Sequence, residues 1–161
     1  MTKITLKYGI LYALASLIWL SVEYFLGFQT TYAEMQQIFT LLFLIPAFYI
    51  MYRGMKAHRD IFHENQATYN YLVAFLTGFY ISVIATLLSP TVSYIFHTFI
   101  NPDFFETMIR ESVSSMRMTE EMAREYFNHR SFIQQGIVGG LISGTIMSTI
   151  LAYFMMDRKR S

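Results

Sequence analysis

Cysteine is missing from the sequence, which excludes disulfide bonds, thiolate metal sites and thiol chemistry while leaving the redox compartment open. Charge is scarce too: Asp, Glu, Lys and Arg make up 14% of the 161 residues, against about 25% in soluble domains. The few charges nearly cancel, to a net +1, and this argues against nucleic acid as a partner. No serine is surrounded by a nucleophile elbow, a phosphate loop or a dinucleotide fingerprint. The histidines are equally uninformative as ligands, because His58 and His63 in "HRDIFHE" miss the i, i+4 spacing of a zinc helix pair. The reading is therefore of a non-enzymatic protein with no cofactor and no metal.

What the chain does have is apolar length. It is 54% hydrophobic and 17% aromatic, and the charges are segregated. The stretches 8–28, 37–52, 71–97 and 132–156 make up more than half the chain and hold a single formal charge, Glu23. At 1.5 Å per residue a helix needs about 20 apolar residues to cross the hydrocarbon core of a bilayer. Three of the stretches reach that length. The stretch 37–52 is shorter and carries Pro46, which leaves open whether it crosses fully or re-enters. In the third stretch Pro90 removes the helical partner of the Thr86 carbonyl, so a kink is expected at Ser89-Pro90. Lys3 and Lys7 ahead of an apolar run, with Ala13-Leu14-Ala15 behind them, imitate a secretory signal. The run continues far past that point, so an uncleaved first span is expected. The fold class is all-α: an integral membrane four-helix bundle, one membrane domain over 1–161, with the lipid bilayer as its first partner.

Basic residues beside spans are retained on the cytoplasmic side. With both termini inside, the inner face collects Lys3, Lys7, Arg53, Lys56, Arg59, Arg158, Lys159 and Arg160. The outer face keeps Arg110, Arg117, Arg124 and Arg130 among the acids that run from Asp103 to Glu125. A multi-pass protein of a bacterial inner membrane is the expectation.

Glycines punctuate the last span. Gly136, Gly140, Gly144, Ser148 and Ala152 recur every fourth residue, and Ala74, Gly78, Ser82 and Thr86 do the same on the third. Gly9, Ala13 and Ser16 form a shorter series on the first. Helices in lipid lack a hydrophobic drive to associate and hold together where small residues let backbones approach. The stripes on spans three and four should therefore face each other, antiparallel. An intermolecular interface between copies of the chain is the alternative use of the same stripe.

Residues 101–130 form the one large polar insertion. Asn101-Pro102-Asp103 reads as a helix start, followed by Phe105, Ile109, Val113 and Met116 at helical spacing. Thr119-Glu120-Glu121 caps a second short helix with an apolar side of Met122, Ala123, Tyr126 and Phe127. An amphipathic helical hairpin between helices three and four results. It covers the bundle mouth, or it offers a partner-binding face built on Met108, Met116, Met118 and Met122.

Glu23 is the most informative residue, because an ionisable group within a span is costly and marks a functional site by default. His97, Gln134 and Gln135 stand at the outer ends of their spans and are expected at similar depth. Together they define a candidate intramembrane polar cluster for an ion, a polar headgroup or a proton. The structural alternative is a Glu23 that is neutral or paired with Arg130.

Four segments, "LKYGILYALA", "MKAHRD", "AFLTGFYISVIATLLSPTVSYIFHTFINPDF" and "GGLISGTIMSTILAYFM", in this order and spacing, resemble a family of small bacterial membrane proteins known as domain of unknown function 4199. The resemblance implies four membrane helices in the inner membrane and carries no catalytic residue. Two roles follow from residues and resemblance together. The first is a non-enzymatic module that packs with itself or with another inner-membrane protein. The second is a small transporter or ion-binding protein that uses Glu23.

Overall fold

The structure, a computed structural model, describes residues 3–157. The basic triplet Arg158, Lys159 and Arg160 lies outside the described residues. Helix α1 spans Lys3–Phe25 and ends in a turn at Gly27, whose φ of +82° suits the residue without a Cβ. A 3₁₀ turn, Ala33–Met35, leads into α2, Gln36–Leu41, and then α3, Leu44–Glu64. Helix α4 covers Tyr71–Ile95 and passes into a π-helical turn, Phe96–Ile100. The outer hairpin consists of α5, Phe104–Ser114, and α6, Glu120–Tyr126, and α7, His129–Met155, completes the chain. Among the described residues there is no strand, and four helical stretches, Lys3–Phe25, Ala33–Glu64, Tyr71–Ile100 and His129–Met155, are long and apolar enough to cross a membrane. Their outward faces carry bare apolar side chains, with Ile18 64%, Leu87 73% and Ile142 56% exposed, as helices solvated by lipid require.

Asparagines start α4 and α7. The Asn70 side chain accepts from the Val73 N–H and the Asn128 side chain from the Ser131 N–H, each at 3.0 Å, satisfying donors that the first helical turn leaves free. The start of α7 is thereby set at His129, three residues before the expected Phe132.

Helix α4 is the centre of the molecule. Its small-residue stripe faces that of α7 in a strict antiparallel register: Gly78 lies against Ser148, Ser82 against Gly144, and Thr86 against Gly140. A Cβ built on Gly78 would meet Ser148 Oγ at 2.8 Å, and one on Gly140 would meet Thr86 Oγ1 at 2.6 Å. The packing reading of Gly136, Gly140, Gly144, Ser148, Ala74, Gly78 and Ser82 therefore has its contacts within one chain; Ala74 and Ala152 are both fully buried where the same register ends. Gly136, at the other end, is looser, with Ser89 Oγ at 3.7 Å from its virtual Cβ. The other face of α4 inserts into neighbouring notches. Ile84 fills the space above Gly9 of α1, where a Cβ would come within 2.5 Å of its own, and the Ile81 tip does so above Gly54 of α3, at 2.6 Å.

Pro90 lies within α4 without ending it. The Ser89 hydroxyl donates to the Thr86 carbonyl at 2.8 Å, replacing the donor that proline lacks. The regular helix gives way at Phe96 instead, where Asn101 N–H reaches back five residues to the Phe96 carbonyl at 2.9 Å.

Three expectations are corrected. The segment 37–52 is part of a longer stretch, since α3 continues past Tyr52 through "HRDIFHE" to Glu64. Pro46 sits in the first turn of α3, where a missing N–H costs nothing, and the Leu42 carbonyl takes the Ile45 N–H instead at 3.1 Å. In the hairpin, α5 buries Phe104, Met108 and Ile109, whereas Val113 and Met116 of the expected stripe are exposed, Met116 by 93%. The four methionines share no face, since Met108 is buried and Met122 is 57% exposed. The buried face of α5, Phe104, Met108 and Ile109, is thus offset from the expected stripe, with Ile109 common to both.

Candidate functional site: a cavity at the hairpin end

The two halves of the bundle differ. At the end away from the hairpin Met51, Met55, Tyr69, Ala74, Met147 and Ala152 close the space between α3, α4 and α7. At the hairpin end α1, α2, α4 and α7 leave a cavity of about 260 Å³ whose wall includes Glu23, Gln29, Gln36, Thr40 and His97. Phe96, Phe104 and Phe132 supply aromatic surface to the same wall.

Glu23 is completely buried. Thr40 Oγ1 donates to its Oε1 at 2.8 Å and Gln29 Nε2 to its Oε2 at 3.2 Å. Gln29, itself buried, is oriented from behind, because Asn101 Nδ2 donates to its Oε1 at 2.9 Å. That bond commits the Gln29 amide hydrogens to Glu23 and to the Leu20 carbonyl, at 3.3 Å. Trp19 and Gln36 lie close to the carboxylate as well. The buried Trp19 indole N–H has no well-formed acceptor among the described residues. Each Glu23 oxygen thus faces neutral donors, and the salt bridges among the described residues leave Glu23 without a cation. The pairing with Arg130 is not formed.

His97, on the π-helical turn, is held by the Ser93 carbonyl at 2.8 Å from Nδ1 and is wrapped by Phe104, Phe105, His129 and Phe132. Of the expected polar cluster, Glu23 and His97 reach the cavity. Gln135 is exposed and lines the neighbouring groove, and Gln134 is exposed. The partners that surround Glu23 are instead Gln29, Thr40 and Asn101.

That groove, about 440 Å³, lies between α2 and the hairpin and is lined in part by Glu34, Glu111, Arg117 and Tyr126. It shares Gln36, Thr40 and Phe132 with the cavity, so these three side chains form the partition between them.

Residues 7–157 match the family described as "Protein of unknown function (DUF4199)". The chain belongs to this family. No curated protein and no solved structure matches it.

A second polar site lies at the end away from the hairpin. Asp157 accepts from Arg59 Nη2 at 3.0 Å and from the Tyr69 N–H at 2.8 Å, and bonds His63 Nε2 at 2.9 Å; its own N–H donates to the Tyr69 carbonyl at 2.9 Å. One carboxylate therefore clamps the end of α3, the α3–α4 loop and the end of α7. Burial pushes the Tyr69 phenol up to about 12, so it is neutral in the clamp. Sequence reasoning missed Asp157 as it missed Gln29 and Asn101. Gln29 and Asn101 stand in connecting segments and Asp157 just past the end of α7, where periodicity carries no signal.

Proposed function

We propose that this protein is a non-enzymatic binding module of the bacterial inner membrane, with both termini in the cytoplasm and a ligand cavity in its outer half. The observation that carries the reading is Glu23: a carboxylate with no countercharge, held by oriented neutral donors in the wall of a cavity that borders an outer groove. A side chain kept solely for structure in lipid has cheaper apolar substitutes, since a buried charge costs several kcal/mol, on the order of a whole domain's net stability when uncompensated. The packed inner half supports binding over conduction, because a transport path would have to open the core around Met51, Met55 and Met147.

Gly136 provides the test. It lines the cavity and its virtual Cβ meets only Ser89 Oγ, at 3.7 Å, so Gly136→Leu fills the cavity while the tighter contacts of α4 with α7 stay intact. Protein released from its own membranes in mild detergent is expected to carry a bound small molecule in native mass spectrometry, and Gly136→Leu is expected to lose it. Wild-type protein without added mass, or an adduct that persists in the filled variant, overturns the assignment.

A further inference from the structure

Resting on the reading of the cavity as a ligand site, we propose that its ligand is a small organic ammonium ion with a compact apolar body, which pairs with Glu23 after passing Gln36 from the outer groove.

The sign of the ligand follows from the wall. Glu23 is the one formally charged side chain lining the cavity, and no Lys or Arg joins it there. A carboxylate has about four acceptor positions; Thr40 and Gln29 occupy two with well-formed bonds, while Trp19 and Gln36 approach the others more loosely, Gln36 being the side chain a ligand would displace. An ammonium group supplies the missing donors together with the missing charge, so pairing offsets the desolvation of both ions. An anion would meet Glu23 without compensation. A bare metal ion is a poor fit, because Ca²⁺ or Mg²⁺ takes about six or more oxygen ligands and no group of three or more acidic or histidine side chains suited to a metal occurs among the described residues.

The body of the ligand follows from the rest of the wall. Phe96, Phe104 and Phe132, with Leu20, Val92 and Ile133, give the cavity apolar and aromatic surface. Aromatic faces attract a cation by roughly 0.5–2 kcal/mol and also accept the hydrocarbon attached to it. The route is set by the shared partition. Glu34 and Glu111 outnumber Arg117 in the groove, which favours cations there. Glu23 has no exposed surface, so a covering side chain must move. Gln36 is half-buried, borders both spaces and lies beside Glu23, and it stands on the six-residue α2, the shorter of the two helices that follow the first loop.

The chain's single tryptophan reports on the site, because Trp19 lies near the Glu23 carboxylate. Trp19 fluorescence of the full-length protein in detergent is titrated with benzylammonium, benzyl alcohol and benzoate. Benzylammonium is expected to give a saturable change at a concentration about tenfold or more below that of benzyl alcohol, with benzoate inert. Glu23→Gln, which keeps the shape and the acceptor for Thr40, is expected to remove the advantage of the ammonium. If that variant does not fold, Gly136→Leu serves in its place and is expected to abolish saturation by every probe. Equal affinity for the alcohol and the ammonium, or tighter binding of benzoate, overturns the charge assignment and leaves the cavity as a ligand site. Saturation by benzylammonium that survives Glu23→Gln undiminished overturns the role of Glu23. Failure of every probe to saturate, together with an empty wild-type protein in native mass spectrometry, overturns both readings.

Discussion

Asp157 shows how much a single side chain at a helix end can hold in this molecule. Burial pulls its pKa upward, but the Tyr69 N–H, the Arg59 guanidinium and the His63 imidazole together outweigh that effect and set it below the ordinary 3.8. A depressed carboxylate pKa means that the folded state prefers the ionised form, so the stability it brings is present above the unfolded value and is lost as pH falls through the folded one. The window is thus below 3.8. With about a quarter of the Asp157 side chain exposed, solvent screening limits the clamp to about 1 kcal/mol. Asp157→Asn should therefore lower the thermal midpoint in detergent at neutral pH, and the gap between variant and wild type should close on acidification below about pH 4. A gap that stays constant between pH 7 and pH 3 would show that the carboxylate charge is irrelevant to the clamp. Glu23 differs in kind. Its hydrogen bonds come from neutral groups within the bundle, and no cation among the described residues pairs with it.

Between elements, the contact of α4 with α7 depends on which glycines face inward. Gly144 lies against Ser82 and Gly140 against Thr86, whereas nothing lies within 4 Å of a Cβ on Gly139. Gly144→Leu would drive the helices apart, at a cost of about 1–3 kcal/mol or more from overpacking, while Gly139→Leu points into lipid and should leave the thermal midpoint within a degree or two. Paired cysteines at Ser82 and Gly144 should crosslink within one chain and migrate as a monomer; crosslinked bands at twice the mass would mean that the stripe joins copies instead. This stripe was legible in the sequence because smallness every fourth residue is a local property of one helix. The length of α3 was not, since Arg53, Lys56 and Arg59 end the hydropathy signal although the helix itself continues to Glu64. The buried network was legible only at Glu23. Gln29 and Asn101 lie 72 positions apart and meet through the fold alone, and neither belongs to a periodic run. The same reason explains Gln134 and Gln135: the direction in which they point follows from the rotation of α7 that packs Gly140 and Gly144 against α4, which their own spacing does not reveal.

At the scale of the whole molecule, the sealed half and the hollow half acquire meaning only once they are placed across the bilayer. Tyr8, Arg53 and Lys56 line one shallow depression, and Arg59 reaches Asp157, so the start of α1, the end of α3 and the end of α7 gather at one end. The hairpin and the cavity occupy the other. Basic residues close to spans resist translocation, and Lys7, Arg53, Lys56 and Arg59 gather at the sealed end, with Lys3 at the start of the same helix. Arg110, Arg117 and Arg124 in the hairpin stand among Glu106, Glu111, Glu120 and Glu121, and Arg124 is bonded to Glu106 at 3.2 Å and Glu120 at 3.1 Å. The cavity should therefore open away from the cytoplasm. The absence of native cysteine makes this directly measurable, because any introduced thiol is the only one. Met116→Cys, at the exposed turn of the hairpin, should react with a membrane-impermeant maleimide on intact cells, and Lys56→Cys should react only after the membrane is permeabilised. The reverse pattern would turn the cavity toward the cytoplasm, and an ammonium ligand would then have to come from inside the cell.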